Sequence, residues 1–311
     1  MRPTVLVLVH LDADSRALLV EHFDVYEALS PDALQAAIAQ AAERIGFLLT
    51  NGATGVDAQT IAQLPALRLI GALGAGYENV ALDAARQRGI QVVNGRGTNA
   101  SCVADHAFAL LLAIVRDIPH LDSVARAGTW RDGLPFAPQL SGKRLGIVGL
   151  GAIGAQMAKR ALGFDLEVGY HNRRQLSDSP HRYFETVSAL AEWADYLVAA
   201  TPGGAETRHL IDAKVLDALG PHGFLVNVGR GSVVDTAALV SALRSHAIAG
   251  AALDVYEGEP VTPPELIPLK NLVLTPHIGG RSPEAVGAAF QLFVKNVLAY
   301  CAGEPLLTPV E

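Results

Sequence analysis

Cysteine is nearly missing from this sequence: Cys102 and Cys301 are the only two among 311 residues, far apart and with no second metal-type ligand close to either. A disulfide framework is thereby excluded, no metal-site spacing is present, and both thiols are expected to be structural. Charge is sparse as well, at 18% of residues, and 24 basic against 31 acidic residues leave a formal net charge of −7. That balance disfavours a nonspecific hold on nucleic acid or on an anionic membrane, so a small anionic ligand would need a locally placed arginine. No uninterrupted apolar run approaches the roughly 20 residues that cross a bilayer. Met1-Arg2-Pro3-Thr4 leads straight into a strand-like segment without a small-residue cleavage site, so a cytoplasmic location is the expectation. What the chain does have is apolar content, 50% of residues, enough to pack a core. Its length exceeds the usual single-domain size, which points to two domains.

Short runs rich in Val, Leu and Ile recur between helix-period segments: Val5 to Val9, Phe47 to Leu49, Leu69 to Leu73, Gln91 to Val93, Leu145 to Val148, Val168 to Tyr170, Tyr196 to Ala200, Phe224 to Val228 and Ala249 to Leu253. Strands alternating with helices imply parallel sheets in an α/β architecture, with strands apolar on both faces because helices cover both sides. Two long apolar helices are predicted, from about Ser101 to Arg116 and from about Pro283 to Tyr300, with Pro283 at an early helical position that tolerates it. The clearest nucleotide signature lies between them. The expected division is a dinucleotide-binding domain over 99–284, inserted into a substrate domain made of 1–98 and 285–311. A cleft between two such domains would enclose the ligand, with the two crossings as hinges.

Leu145-Gly146-Ile147-Val148 followed by Gly149-Leu150-Gly151-Ala152-Ile153-Gly154 sets a G-x-G-x-x-G pattern between a strand and a helix beginning near Ala152. Gly149 permits the tight turn, Gly151 lets a pyrophosphate approach the backbone, and Gly154 allows the helix to pack closely on the strand. The helix N-terminus adds free amides and the positive end of its dipole. The loop Gly71, Gly74, Gly76 (GALGAGYENV) also follows a strand, but its spacing does not fit the dinucleotide turn. It is either a tight turn needing φ > 0 or an amide cradle for a carboxylate.

About twenty residues past the fingerprint, where an NAD-preferring site places Asp or Glu for the ribose 2′-hydroxyl, the sequence reads Tyr170-His171-Asn172-Arg173-Arg174. Asn172 can hydrogen-bond there without repelling a phosphate, and Arg173 with Arg174 can make charge-assisted contacts to a 2′-phosphate. NADP(H) is therefore favoured over NAD(H); the alternative is a pair of solvated arginines with little discrimination.

Three later segments carry what hydride transfer to a carbonyl requires. In Asn227-Val228-Gly229-Arg230-Gly231, Arg230 falls at the C-terminal end of a predicted strand, the edge where open α/β sheets bind ligands. A guanidinium there can clamp a carboxylate bidentately and fix the adjacent carbonyl. In Leu274-Thr275-Pro276-His277-Ile278-Gly279-Gly280, His277 is a candidate proton donor, its side-chain type titrating nearest neutrality. A carboxylate partner would favour its imidazolium, and Ala252-Leu253-Asp254-Val255-Tyr256-Glu257-Gly258-Glu259-Pro260 offers either Glu257 or Glu259. The other nine histidines lack such a setting.

These segments, together with VADHAFALLLA, VGLGAIG, NVGRGSVVD, ALDVYEGEP and TPHIGG in this order, resemble the D-isomer-specific 2-hydroxyacid dehydrogenase family, in particular its glyoxylate/hydroxypyruvate reductase branch. The resemblance spans nearly the whole chain. It implies two doubly wound parallel-sheet domains, a Rossmann cofactor domain inserted into a flavodoxin-like substrate domain. It further implies that Arg230 binds the substrate carboxylate and polarises the carbonyl, that His277 is the acid in reduction and the base in oxidation, and that Glu259, immediately before proline, supports His277. Glu257 is then structural. By the same resemblance Leu73 and Gly74 offer amides to the substrate, and Asp254 holds the nicotinamide carboxamide. Thr201, Pro202, Val228, His277 and Gly279 line the dinucleotide. Trp130 looks like the aromatic that reaches a partner subunit's active site in a homodimer, the alternative being packing within its own subunit. The expected activity is reduction of small 2-oxo acids to D-2-hydroxy acids. A 2-ketogluconate reductase or another D-2-hydroxyacid dehydrogenase is the alternative within the class, and an NAD(H)-sensing corepressor-like binding protein the alternative outside it.

Overall fold

Every strand pairs with its neighbours in parallel, in two separate sheets, over the residues described, 2–310 of the computed structural model. The first sheet holds β1 (Thr4–Val7), β2 (Asp24–Glu27), β3 (Ile45–Asn51), β4 (Leu69–Leu73) and β5 (Gln91–Asn94) in the order β2-β1-β3-β4-β5. The second holds β6 (Arg144–Val148), β7 (Glu167–His171), β8 (Arg182–Tyr183), β9 (Tyr196–Ala199), β10 (Phe224–Asn227), β11 (Gly250–Leu253) and β12 (Leu272–Leu274), in the order β12-β11-β10-β9-β6-β7-β8. The first order is flavodoxin-like; the second is the Rossmann order with one strand added.

Each sheet belongs to its own unit. One unit takes both ends of the chain, up to Ala100 and from Gly280 onward; the other runs Ser101–Gly279. Interior strands are buried on both faces, as β1, β9, β10 and β11 are throughout, which is why they stand out as continuous apolar runs. The sequence reading misses β2, β8 and β12, and all three are sheet edges. These short strands are only partly buried, so they carry no continuous apolar signal.

In the first unit, the helix Pro283–Ala302 runs two residues beyond the expected end. It is capped by Ser282 Oγ accepting from Ala285 N at 3.1 Å and ends at Gly303 with φ +70°. By length and composition it could span a membrane, yet its buried positions, Ala285, Ala289, Phe290, Phe293, Val294, Asn296 and Val297, recur at helical spacing. Phe293 lies so close over Gly71 of β4 that a Cβ there would sit 2.3 Å from its ring, which makes this a core helix. Beyond it, buried Asn296 accepts from Leu307 N at 2.9 Å, and Thr308 Oγ1 donates to Asn94 O at 2.6 Å. The tail thereby pairs antiparallel with β5 through Val93 and Pro309, covering a sheet edge.

The helix Ala100–Val115, in the second unit from Ser101 on, begins one residue earlier than expected, and its residues from Val103 onward enter the core of the seven-stranded sheet, where Ile114 packs on Gly250 of β11. The following helix, Ile118–Arg126, buries none of its residues.

Candidate active site

The turn between β6 and the helix Ala152–Ala161 shows why glycine recurs there. Gly149 has φ +100°, and a Cβ on Gly154 would sit 2.3 Å from Gly149 O, so the helix can approach the turn only without a side chain. Around Gly151 a Cβ would meet nothing within 4 Å. Sterics inside the protein therefore place no demand for glycine at 151, whereas a ligand lying against the backbone does. Gly151 also starts the helix without a side-chain cap, leaving first-turn amides for an anion. This cradle fits the pyrophosphate of a dinucleotide. Asn172, just past β7, is tied to the same turn: its Oδ1 accepts from Leu150 N at 2.7 Å. Arg173 and Arg174 follow it, both exposed, and Arg173 pairs with Glu206.

Arg230, Glu259 and His277 follow β10, β11 and β12, three strands adjacent in the sheet, and so stand at the same C-terminal edge. Asn227, fully buried at the end of β10, shapes the arginine loop by accepting from Gly229 N and donating to Arg230 O, both at 3.0 Å. Gly229 lets this loop close on the one after β9, since a Cβ there would sit 2.5 Å from Thr201 O. Gly231 lies against Tyr256 in the same way, with a would-be Cβ 2.1 Å from its carbonyl carbon. The arginine loop is thus locked between the Thr201-Pro202 turn and the glutamate loop.

Glu259 splits its carboxylate between two donors. Oε1 accepts from Tyr256 N at 3.0 Å and Oε2 meets His277 Nδ1 at 2.6 Å. An ionised Glu259 requires the proton on Nδ1, which leaves Nε2 as the atom that can give or take one. The Glu259 bond raises the His277 pKa above its ordinary value, against the effects of burial and of the nearby Arg230 charge. That last effect registers the guanidinium within electrostatic reach of the ring.

His277 itself has φ +54°, a conformation uncommon for a side-chain-bearing residue. Asp254 holds the backbone there: its carbonyl accepts from His277 N at 2.8 Å, Oδ1 accepts from Ile278 N at 3.0 Å, and Oδ2 accepts from Gly279 N at 2.8 Å. Thr275 Oγ1 donates to Oδ1 at 2.6 Å, and His106 Nε2 lies 2.9 Å from Thr275 Oγ1 and 3.3 Å from Asp254. His106, one of the nine histidines without such a setting in the sequence, braces this loop. Its signal was its place in VADHAFALLLA, a polar residue in an apolar helix. Cys102 adds a structural bond, Sγ to Gly279 O at 2.9 Å.

Glu257 is also part of a network. Its Oε1 lies 2.9 Å from His209 Nε2, and Oε2 accepts from Thr236 Oγ1 at 2.8 Å. Burial opposes its ionisation, but these hydrogen bonds outweigh that and leave its pKa below the usual carboxylate value. His209 lies within the segment that follows the Thr201-Pro202 turn, and its N–H donates to Ser232 O at 2.8 Å, so Glu257 stitches three ligand-edge loops together. Sequence spacing gave no sign of His209.

In the other unit, the GALGAGYENV loop leaves β4 at Leu73, and Gly74 turns it with φ +79°. Gly74 O accepts from Gly95 N at 2.6 Å, and Asn94 Nδ2 donates to Ala75 O at 2.9 Å, so the loop is held against the one after β5. Trp130 and Phe136, in the segment after the helix Ile118–Arg126, expose 74% and 105% of their surface.

Comparison with known proteins identifies the family. Residues 108–279 match the sequence profile of the D-isomer specific 2-hydroxyacid dehydrogenase NAD binding domain. A glyoxylate/hydroxypyruvate reductase A of Arabidopsis thaliana is 41% identical over 267 residues, 86% of this chain and 85% of the relative. A 2-ketogluconate reductase of Gluconobacter oxydans is also 41% identical, over 270 residues, covering 86% of this chain and 87% of its own. Among solved structures, the NADPH-dependent glyoxylate/hydroxypyruvate reductase of Sinorhizobium meliloti, in complex with NADP and malonate, superposes with a TM-score of 0.87 at 33% identity, covering 100% of this chain and 97% of that one. A dinucleotide turn, a hydrogen-bonded set of loops holding Arg230, Glu259 and His277 at one sheet edge, and these likenesses over most of the length have one common explanation: the chain belongs to the D-isomer-specific 2-hydroxyacid dehydrogenase family.

Proposed function

We propose that this chain is an NADPH-preferring reductase of small 2-oxo acids of the glyoxylate and hydroxypyruvate type, giving D-2-hydroxy acids. The observation that carries the reading is the convergence of Arg230, Glu259 and His277 behind three adjacent strands, with His277 Nδ1 bonded to Glu259.

Arg230 binds the substrate carboxylate and, by fixing it, orients the neighbouring carbonyl; in this reading Leu73 and Gly74 are substrate-binding through their backbone amides. A bound nicotinamide dinucleotide supplies the hydride that reduces C2. His277, charged and steadied by Glu259, delivers the Nε2 proton to the carbonyl oxygen as negative charge develops there. In the oxidative direction the neutral ring accepts the hydroxyl proton at the same atom. Gly149 to Gly154, with Thr201, Pro202 and Val228, hold the dinucleotide, and Asp254 and Gly279 lie beside its nicotinamide end. The preference for NADPH is supported by Asn172, Arg173 and Arg174 at the end of β7, where an acidic residue would repel a 2′-phosphate. Exposure of Trp130 and Phe136 supports a homodimer built on that segment.

The Gluconobacter relative keeps 2-ketogluconate as a second candidate substrate. Initial rates with glyoxylate, hydroxypyruvate and 2-ketogluconate, each with NADPH and NADH, test the assignment. The highest kcat/KM is expected with NADPH and one of the two smaller acids; a maximum with 2-ketogluconate selects the second reading, and no turnover with any of the three defeats both.

A further inference from the structure

The acidic residue missing from the end of β7 is supplied by a different loop. β9 lies on the opposite side of β6 from β7, so the loops after β7 and β9 flank the fingerprint turn that follows β6. Past Thr201 and Pro202 the chain forms the short turn Ala205–Thr207, held by Thr207 Oγ1 donating to Pro202 O at 2.8 Å. Glu206 in that turn reaches Arg173, with Oε2 2.5 Å from Nη1. The two side chains are 73% and 84% exposed, so the pair lies in solvent, open to a competing anion. Asn172, next to Arg173, bonds the fingerprint turn itself, which puts the pair beside the ribose end of the cradle.

Resting on the NADP(H) reading above, we infer that Glu206 is a specificity-determining residue for the dinucleotide, one that weakens the preference for NADPH. A 2′-phosphate must take the Arg173 guanidinium from Glu206, and its charge of about −1.5 to −2 then sits near a displaced carboxylate. A ribose 2′-hydroxyl carries no charge to be repelled and can donate to that carboxylate, so binding of NADH incurs neither cost. Arg173 and Glu206 thus oppose one another in reading the 2′-substituent, and the chain discriminates less sharply than two unopposed arginines would.

The test is the ratio of the NADH to the NADPH dissociation constant for the full-length protein, measured by calorimetry for wild type, Glu206→Gln, Arg173→Gln and the double variant, at low and high salt. Glu206→Gln is expected to raise the ratio about two- to fivefold at low salt, the range for exposed ion pairs. The rise shrinks in high salt, and it shrinks in the Arg173→Gln background, where only the carboxylate's own contacts with the 2′-substituent remain. A ratio unchanged or lowered by Glu206→Gln, or a rise of the same size without Arg173, overturns the inference while leaving the NADPH reading in place. If Arg173→Gln alone does not lower the ratio, Arg173 does not read the 2′-substituent, and this inference fails together with its part of the NADPH reading.

Discussion

The ring of His277 and the carboxylate of Glu259 are joined at 2.6 Å, and the other oxygen of that carboxylate is pinned by the backbone N–H of Tyr256. Glu259 is therefore oriented by the main chain of its own loop and orients the ring in turn. The imidazole is presented with one nitrogen engaged and the other available, which is the condition for a directional proton donor.

Replacing His277 by Ala removes the proton donor without touching the dinucleotide cradle. Turnover with a 2-oxo acid is expected to fall by about 10²-fold or more, with cofactor affinity nearly intact. Stopped-flow or steady-state rates alongside a dinucleotide titration check this, and unchanged turnover removes His277 from the mechanism.

The Glu259 bond raises the His277 pKa above 6.5, so reduction, which needs the charged ring, is expected to decline as pH rises through that elevated value. Oxidation, which needs the neutral ring, rises through the same range. In Glu259→Gln both transitions move to lower pH, since the partner that favours the charge is gone. The same linkage applies to stability: the pair contributes fully below the unfolded histidine value, and the contribution is lost as pH climbs through the folded one. Profiles of kcat/KM and of melting temperature against pH measure both, and a pH–rate profile identical in the two proteins contradicts the assignment.

Two neighbouring glycines are expected to fail differently. Gly151→Ala adds a Cβ into open space, so melting should match wild type while dinucleotide binding weakens by about tenfold or more, near 1.4 kcal/mol. Gly154→Ala drives a Cβ to 2.3 Å from Gly149 O and must move backbone, so it lowers the melting temperature as well. Thermal melts with and without NADPH separate them; equal loss of stability in both would refute the ligand-based role of Gly151.

Exposure of Trp130 and Phe136 leads to an expected dimer in solution that Phe136→Asp dissociates. Light scattering coupled to size exclusion decides it, and a monomeric wild type ends the proposal that Trp130 serves a partner's site.

Much of this was legible in one dimension because the signals were local. Interior strands are apolar on both faces, so Leu69 to Leu73 and Leu145 to Val148 declared themselves, as did the fingerprint with its helix beginning at Ala152. Edge strands β2, β8 and β12 did not, because a strand half in water needs no continuous apolar run.

By itself the sequence determined the two parallel sheets, the dinucleotide turn, and the residue types able to grip an acid and move a proton, since each is written in contiguous residues. In the sequence only family likeness separates Glu259 from Glu257; the fold shows the physical difference, with Glu259 on His277 and Glu257 turned to His209 and Thr236. The bracing of the histidine loop by His106 and the pairing of Arg173 with Glu206 also belong to tertiary structure alone. Those partners lie 169 and 33 residues apart, and only strand order and loop packing bring them within a hydrogen bond's reach.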